Sequence, residues 1–165
     1  MNDTRFHDMP DGRRIAFRHT KGAGKHAGPT LVFLPGYMSD MAGGKASALF
    51  ASAQELGRGG LLLDYSGCGE SSGDFAQGTL SRWREEVLAL IEACVDGPVL
   101  LVGSSMGGWL MLLVAEELRE SDLHPLAGII GVAPAPDFTT WGYSEEQRAA
   151  MAAGRTVYED NPYGP

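Results

Sequence analysis

The run Val99-Leu100-Leu101-Val102-Gly103-Ser104-Ser105-Met106-Gly107 constrains this chain more than any other stretch, because a second apolar segment, Trp109 to Ala115, follows almost at once. A buried strand here turns sharply into a buried helix, with a serine at the turn. Side chains two residues before and after Ser105 would collide where strand and helix nearly touch. Small residues relieve that crowding, which accounts for Gly103 and Gly107.

The remaining pattern repeats the same alternation. Arg5-Phe6-His7-Asp8 and Arg14-Ile15-Ala16-Phe17 flank Pro10-Asp11-Gly12 and read as a β-hairpin, Asp-Gly being a strong turn signal. Thr30 to Leu34 is a continuous apolar run of the kind found in parallel strands covered on both faces. Ala46, Leu49, Phe50, Ala53 and Leu56 recur at helical spacing, with Gly57 as a stop. Leu61 to Asp64 predicts a strand, and Leu80, Trp83, Val87, Leu90, Ile91 and Cys94 predict an amphipathic helix ended by Gly97-Pro98. Ala127 to Ala133 predicts the last strand. Ser144-Glu145-Glu146-Gln147 is a capping box opening a short helix that ends near Gly154. The expectation is an α/β fold with a mostly parallel sheet and an antiparallel hairpin at one edge.

A length of 165 residues suits one domain, and a formal charge of −8 without a basic block argues against nucleic acid as a partner. Cys68 and Cys94 have neither metal-ligand spacing nor clustered histidines, so neither a disulfide framework nor a zinc site is expected. Cys94 reads as helix packing, and Cys68 has no identifiable base or positive neighbour to activate it. The polar start, Met1 to Arg5, lacks the apolar core of a secretory signal, and no apolar run reaches bilayer length. A soluble cytoplasmic protein is expected, or one of the mitochondrial matrix where a presequence has been removed.

The serine carries the chemistry. In the strand–G-x-S-x-G–helix context a nucleophile elbow holds its hydroxyl above the sheet on a strained turn. Catalysis also needs donors for the oxyanion and a base. Leu34-Pro35-Gly36-Tyr37 ends the first parallel strand at the carboxyl edge that also carries Ser105. The Tyr37 N–H is one expected donor, and the Met106 N–H, in the first turn of the helix, is the other.

These features resemble the α/β-hydrolase superfamily over essentially the whole chain. The segments Leu34-Pro35-Gly36-Tyr37-Met38-Ser39-Asp40-Met41, Asp64-Tyr65-Ser66-Gly67-Cys68-Gly69-Glu70-Ser71-Ser72-Gly73 and Gly103-Ser104-Ser105-Met106-Gly107-Gly108-Trp109 are similar to one branch of it. That branch holds mitochondrial palmitoyl-protein thioesterase and acyl-glucuronide esterase with bacterial relatives. The resemblance implies hydrolysis of small-molecule or acyl-protein esters and thioesters through an acyl-serine, without cofactor. Many superfamily members carry histidine where Cys68 stands.

A departure from the superfamily pattern follows. Its triad runs Ser, acid, His along the chain, but the only histidine after Ser105 is His124, which precedes the last strand at the opposite edge. A six-residue strand spans roughly 20 Å, against hydrogen-bond reach of about 3 Å. His19 and His26 border the loop feeding the first parallel strand, and His7 sits on the hairpin. None is placed to be the base. Asp137 follows the last strand at the correct edge and is a possible acid, although a loop or helix-cap role fits it as well.

Residues 1–165 thus read as a single incomplete hydrolase domain, truncated at its C-terminal end and lacking the last two of eight strands. Residues 136–165 would open its cap. The final strand is then an exposed edge open to self-association. Met38, Met41, Trp109, Phe138 and Trp141 are candidate acyl-pocket residues, each of which also fits core or lid packing. The alternative reading is a non-catalytic binding protein on a degenerate hydrolase fold.

Overall fold

The computed structural model describes residues 3–23, 28–137 and 143–157. They fall into two compact units, Met1–Ala135 and Pro136–Pro165.

The first unit is built on six strands: β1 (Arg5–Asp8), β2 (Arg14–Thr20), β3 (Thr30–Leu34), β4 (Gly60–Leu63), β5 (Val99–Ser104) and β6 (Leu126–Val132). Their order across the sheet is β1-β2-β4-β3-β5-β6. The hairpin β1–β2 is antiparallel, and β2 also runs antiparallel to β4; the pairs β3–β4, β3–β5 and β5–β6 are parallel. The expected mixed sheet is present. β2 extends three residues beyond the Arg14–Phe17 expectation, because Arg18, His19 and Thr20 find partners in Leu62, Leu61 and Gly60.

Helices supply the crossovers that parallel pairs require. α1 (Gly44–Glu55) contacts β3 and β4, whereas α2 (Leu80–Cys94) and α3 (Met106–Leu118) pack together. Gly57, at φ 65°, ends α1 in a left-handed turn, with the Arg58 N–H returning to the Ala53 carbonyl at 2.8 Å. Thr79 caps α2 by accepting the Arg82 N–H. A short 3-10 turn, Phe75–Gln77, precedes α2 and was not evident in the periodicity.

Period-2 alternation covers both faces of the central strands. Phe33, Leu62 and Val102 form a cluster with Ala16, Met41, Ala46 and Phe50. Val32, Leu61 and Leu101, one residue earlier along each strand, are equally buried. Glu86 on α2 is fully buried, where it pairs with the Arg13 guanidinium and accepts the Ser66 N–H at 2.9 Å. That ion pair ties the hairpin turn to α2 and to the loop after β4.

β6 differs. Among the described residues it pairs with β5 alone, and its neighbouring residues Ile129 and Ile130 are 45% and 48% exposed. Adjacent strand residues face opposite sides, so apolar surface is open on both faces of β6. The strand ends at Val132, because Ala133 turns to φ 44° before Pro134.

The second unit contains α4 (Glu145–Ala152). Its capping box is complete: Gln147 N–H donates to Ser144 Oγ at 3.1 Å, and Ser144 N–H to Gln147 Oε1 at 2.8 Å.

Candidate active site

Ser105 stands between β5 and α3 with φ 53° and ψ −122°, a conformation that side chains other than glycine rarely adopt. It occupies the N-cap of α3, where a serine hydroxyl normally accepts a backbone N–H, yet its side chain makes no capping bond. Instead the backbone is held on both sides. Ser105 N–H donates to Val132 O at 3.1 Å, and Ser105 O accepts Gly108 N–H at 2.8 Å and Ala135 N–H at 2.9 Å. The residue is exposed, so the turn presents a solvent-accessible hydroxyl.

The glycines around it are dictated by close backbone approach. A Cβ at Gly103 would lie 2.4 Å from Gly107 O, and one at Gly107 would lie 2.1 Å from Leu34 O. The second contact seats α3 directly on the end of β3. Gly36 lies against the serine itself: a Cβ there would meet Ser105 Cβ at 3.2 Å and Oγ at 3.8 Å. The loop after β3 and the elbow after β5 therefore meet at one sheet edge.

That loop opens in a tight turn. Ser39 N–H donates to Gly36 O at 3.1 Å, and Met38, in the third position of the turn, has φ 50°. A positive φ at this position is the type II signature and is ordinarily filled by glycine or asparagine. In a trans peptide, C=O and N–H point opposite ways. With Gly36 O turned toward Ser39, the Tyr37 N–H of the same peptide faces away from the turn's interior. Met38 is left 46% exposed. The Tyr37 ring is also exposed and meets the Phe75 ring edge-on, with centroids 5.1 Å apart. A small cleft of about 90 Å³, lined by Gly36, Ser39, Lys45 and Ser104 among others, opens beside the elbow. A larger cavity of about 470 Å³ opens elsewhere, between Arg18 on β2 and Phe50 and Gln54 on α1.

Other expected residues are placed differently. Met41 is 1% exposed and packed in the core with Phe33, Phe50 and Val102, the packing role that the sequence sets beside the pocket role. Burial won because Met41 N–H is drawn inward to Asp64 Oδ1 at 2.7 Å, carrying the side chain under the sheet edge. Trp109 lies half-buried in the first turns of α3. Phe138 and Trp141 lie outside the described residues, as does His26. Asp137 belongs to the second unit and has left-handed backbone, φ 62°, which aspartate tolerates better than most residues.

The histidines are occupied or distant. His124 is buried, with Nε2 3.1 Å from Glu92 Oε2. His7 lies on β1, separated from β5 by β2, β4 and β3, so about 19 Å of sheet intervenes at ~4.8 Å per strand. His19 pairs with Leu61 within the sheet, and burial lowers its pKa. The thiol of Cys68 is buried and pushed up to about 11 by desolvation, with Asp64 and Glu86 adding to the rise, so it stays protonated at neutral pH.

Two residues behind the site were not singled out by sequence reasoning. Asp64, at the end of β4, is 1% exposed, and Tyr65 is fully buried. Their signal was present in the run Asp64-Tyr65-Ser66-Gly67-Cys68-Gly69, a polar pair leading from a buried strand into a glycine-rich loop.

The model of the alpha/beta hydrolase family matches residues 31–163. The human mitochondrial palmitoyl-protein thioesterase ABHD10 is 42% identical over 132 residues, which cover 80% of this chain and 40% of that protein. The mouse counterpart is 40% identical over 123 residues, 74% of this chain and 39% of its own length. Among solved structures, a protein of Agrobacterium vitis S4 superposes with a TM-score of 0.85 at 37% identity, covering all of this chain and 66% of its own. Mouse alpha/beta hydrolase domain-containing protein 10 gives 0.81 at 34% identity, covering 95% of this chain and 61% of its own. The chain thus spans about 40% of the curated relatives it matches. The sheet order, the helical crossovers and the family match over most of the sequence agree, and the chain belongs to the alpha/beta hydrolase family.

Proposed function

We propose that this chain supplies the nucleophile of a serine hydrolase acting on carboxylic esters or acyl thioesters. The observation that supports this best is the strained, exposed Ser105, whose hydroxyl is withheld from the capping bond its position offers. Its Oγ would add to the acyl carbon while its proton passes to a base. The oxyanion that forms would take hydrogen bonds from the Tyr37 and Met106 N–H groups, the latter in the first turn of α3, where amides have no intrahelical acceptor. Collapse of the adduct would release the alcohol or thiol with its proton and leave an acyl-serine, which water then cleaves. Exposed Met38, in the loop whose Gly36 meets the serine, is proposed to contact the acyl chain, with Trp109 as a further pocket residue.

Among the described histidines none of His7, His19 and His124 is proposed as the base, and acylation without an added base is expected to be slow. Acyl thioesters are included because the human palmitoyl-protein thioesterase relative is 42% identical over the segment that holds Ser105. A non-catalytic binding protein is the second reading, favoured by the engagement of His124 with Glu92.

A fluorophosphonate probe separates the two. Slow labelling that is accelerated by added imidazole and abolished in Ser105→Ala supports the nucleophile. Labelling that is unchanged in Ser105→Ala refutes it. Absence of Ser105 labelling, with retained binding of a non-hydrolysable acyl-thioester analogue, establishes the binding protein.

A further inference from the structure

We propose that Asp64 is a positioning residue whose buried carboxylate, with the Tyr65 hydroxyl, sets the backbone of residues 35–41 so that the Tyr37 N–H is held in place for the oxyanion. The proposal rests on the reading of Ser105 as nucleophile.

The geometry is that of a clamp between two loops. Asp64 Oδ1 accepts Met41 N–H at 2.7 Å, and Oδ2 accepts Glu70 N–H at 2.8 Å. One carboxylate thus joins the loop after β3 to the loop after β4. The second loop closes tightly around it. Gly69, at φ 50°, comes so near that a Cβ there would lie 2.1 Å from Oδ2. The backbone of Asp64 is fixed as well, its N–H on Ala16 O at 3.0 Å and its carbonyl accepting Ser71 Oγ at 2.7 Å. The clamp is therefore anchored to the sheet and does not drift with the loops.

Tyr65 acts at the other end of the same loop. Its hydroxyl donates to Pro35 O at 3.1 Å, and its ring stacks on Trp83 at 5.2 Å between centroids. Three bonds then orient successive parts of one segment. Tyr65 holds the peptide before Gly36, the Ser39 N–H holds the peptide that carries the Tyr37 N–H, and Asp64 holds the exit at Met41. The middle bond is local to the turn. The outer two are tertiary and determine where the turn stands against Ser105.

A carboxylate suits this task better than an amide. It has acceptors on both oxygens and no N–H to repel a backbone donor. Burial pushes the Asp64 carboxyl above its ordinary value; the Glu70 and Met41 N–H bonds pull it back, and the negative charges of Asp40 and Glu70 add to the rise. The Arg18 guanidinium pairs with Glu70 at 3.7 Å. Keeping an acid under this desolvation is explained by the two donors it alone can satisfy.

The test compares Asp64→Asn and Tyr65→Phe with the parent chain, using amide hydrogen exchange and imidazole-assisted fluorophosphonate labelling. Asparagine keeps one acceptor but turns an NH2 toward the other amide. In folded Asp64→Asn, exchange across residues 36–41 should rise about tenfold or more while β5 amides are unchanged. The maximal labelling rate of Ser105 should fall about tenfold or more, short of the ~10²–10³ loss for deleting a whole oxyanion donor, with probe affinity nearly unaltered. Tyr65→Phe should give a smaller fall in the same direction. A folded Asp64→Asn with parental exchange at 36–41, or with a parental maximal rate, overturns the proposal. If Asp64→Asn does not fold, Tyr65→Phe decides on the same two readouts. Labelling retained in Ser105→Ala would end the nucleophile reading instead, and the exchange measurement would still say whether Asp64 holds the loop.

Discussion

Replacing Ser105 by glycine should make the protein more stable, although it deletes the proposed nucleophile. At φ 53° and ψ −122° the serine Cβ is in a region that costs of order 1–3 kcal/mol for a side-chain-bearing residue. Glycine removes that cost but surrenders about 0.5–1 kcal/mol through the greater freedom of its unfolded chain. The net gain is about 1 kcal/mol, or a rise in Tm of roughly 2–4 °C for a chain of this size. Ser105→Ala is the control. It retains the Cβ and therefore the strain. Because the Ser105 side chain makes no capping bond, the usual loss of about 1 kcal/mol for removing an N-cap does not apply. An exposed position without such a bond should change by less than about 0.5 kcal/mol. Urea unfolding of the three proteins at low concentration, checked by thermal melts, measures both differences. If the glycine variant is no more stable than the alanine variant, the strain argument fails. A large loss in the alanine variant would show that the hydroxyl has a structural partner.

Two further outcomes are expected. The 165-residue chain should self-associate through the side of β6 that has no partner strand among the described residues, and Ile130→Lys on that strand should shift it toward monomer; a monodisperse 17.6 kDa species with a cooperative melt in size-exclusion and thermal assays would refute this. Cys68 should resist thiol reagents at pH 8 in the folded chain, and stability should decline as pH rises from about 9 to about 11. The unfolded thiol loses its proton near its ordinary value of 9.0 while the folded one holds it to about 11. The folded state then binds more protons, and stability present below pH 9 is lost across that window. Rapid modification at pH 8, or a flat stability profile there, would contradict the burial of this thiol.

The legibility of the chain follows the range of the interactions involved. Thr30–Leu34, Leu80–Cys94 and the capping box at Ser144 and Gln147 were readable because apolar period and cap chemistry act within a few residues. The elbow was readable for the same reason, since the crowding between Gly103 and Gly107 is set by a five-residue turn. Local pattern left Met41 open between pocket and core. Its neighbours along the chain are polar and glycine-rich, and only the Asp64 carboxylate, 23 residues away, draws it inward. The bond from Tyr65 to Pro35 and the Arg13–Glu86 ion pair were equally hidden, because each joins segments that local pattern treats as independent. Hydrophobic periodicity tells a residue which way to face but not which residue it will meet. At this sheet edge Gly103 answers a crowding local to its turn, whereas the loop that would serve the serine is held by Asp64 and Tyr65, just past β4, which only folding brings near.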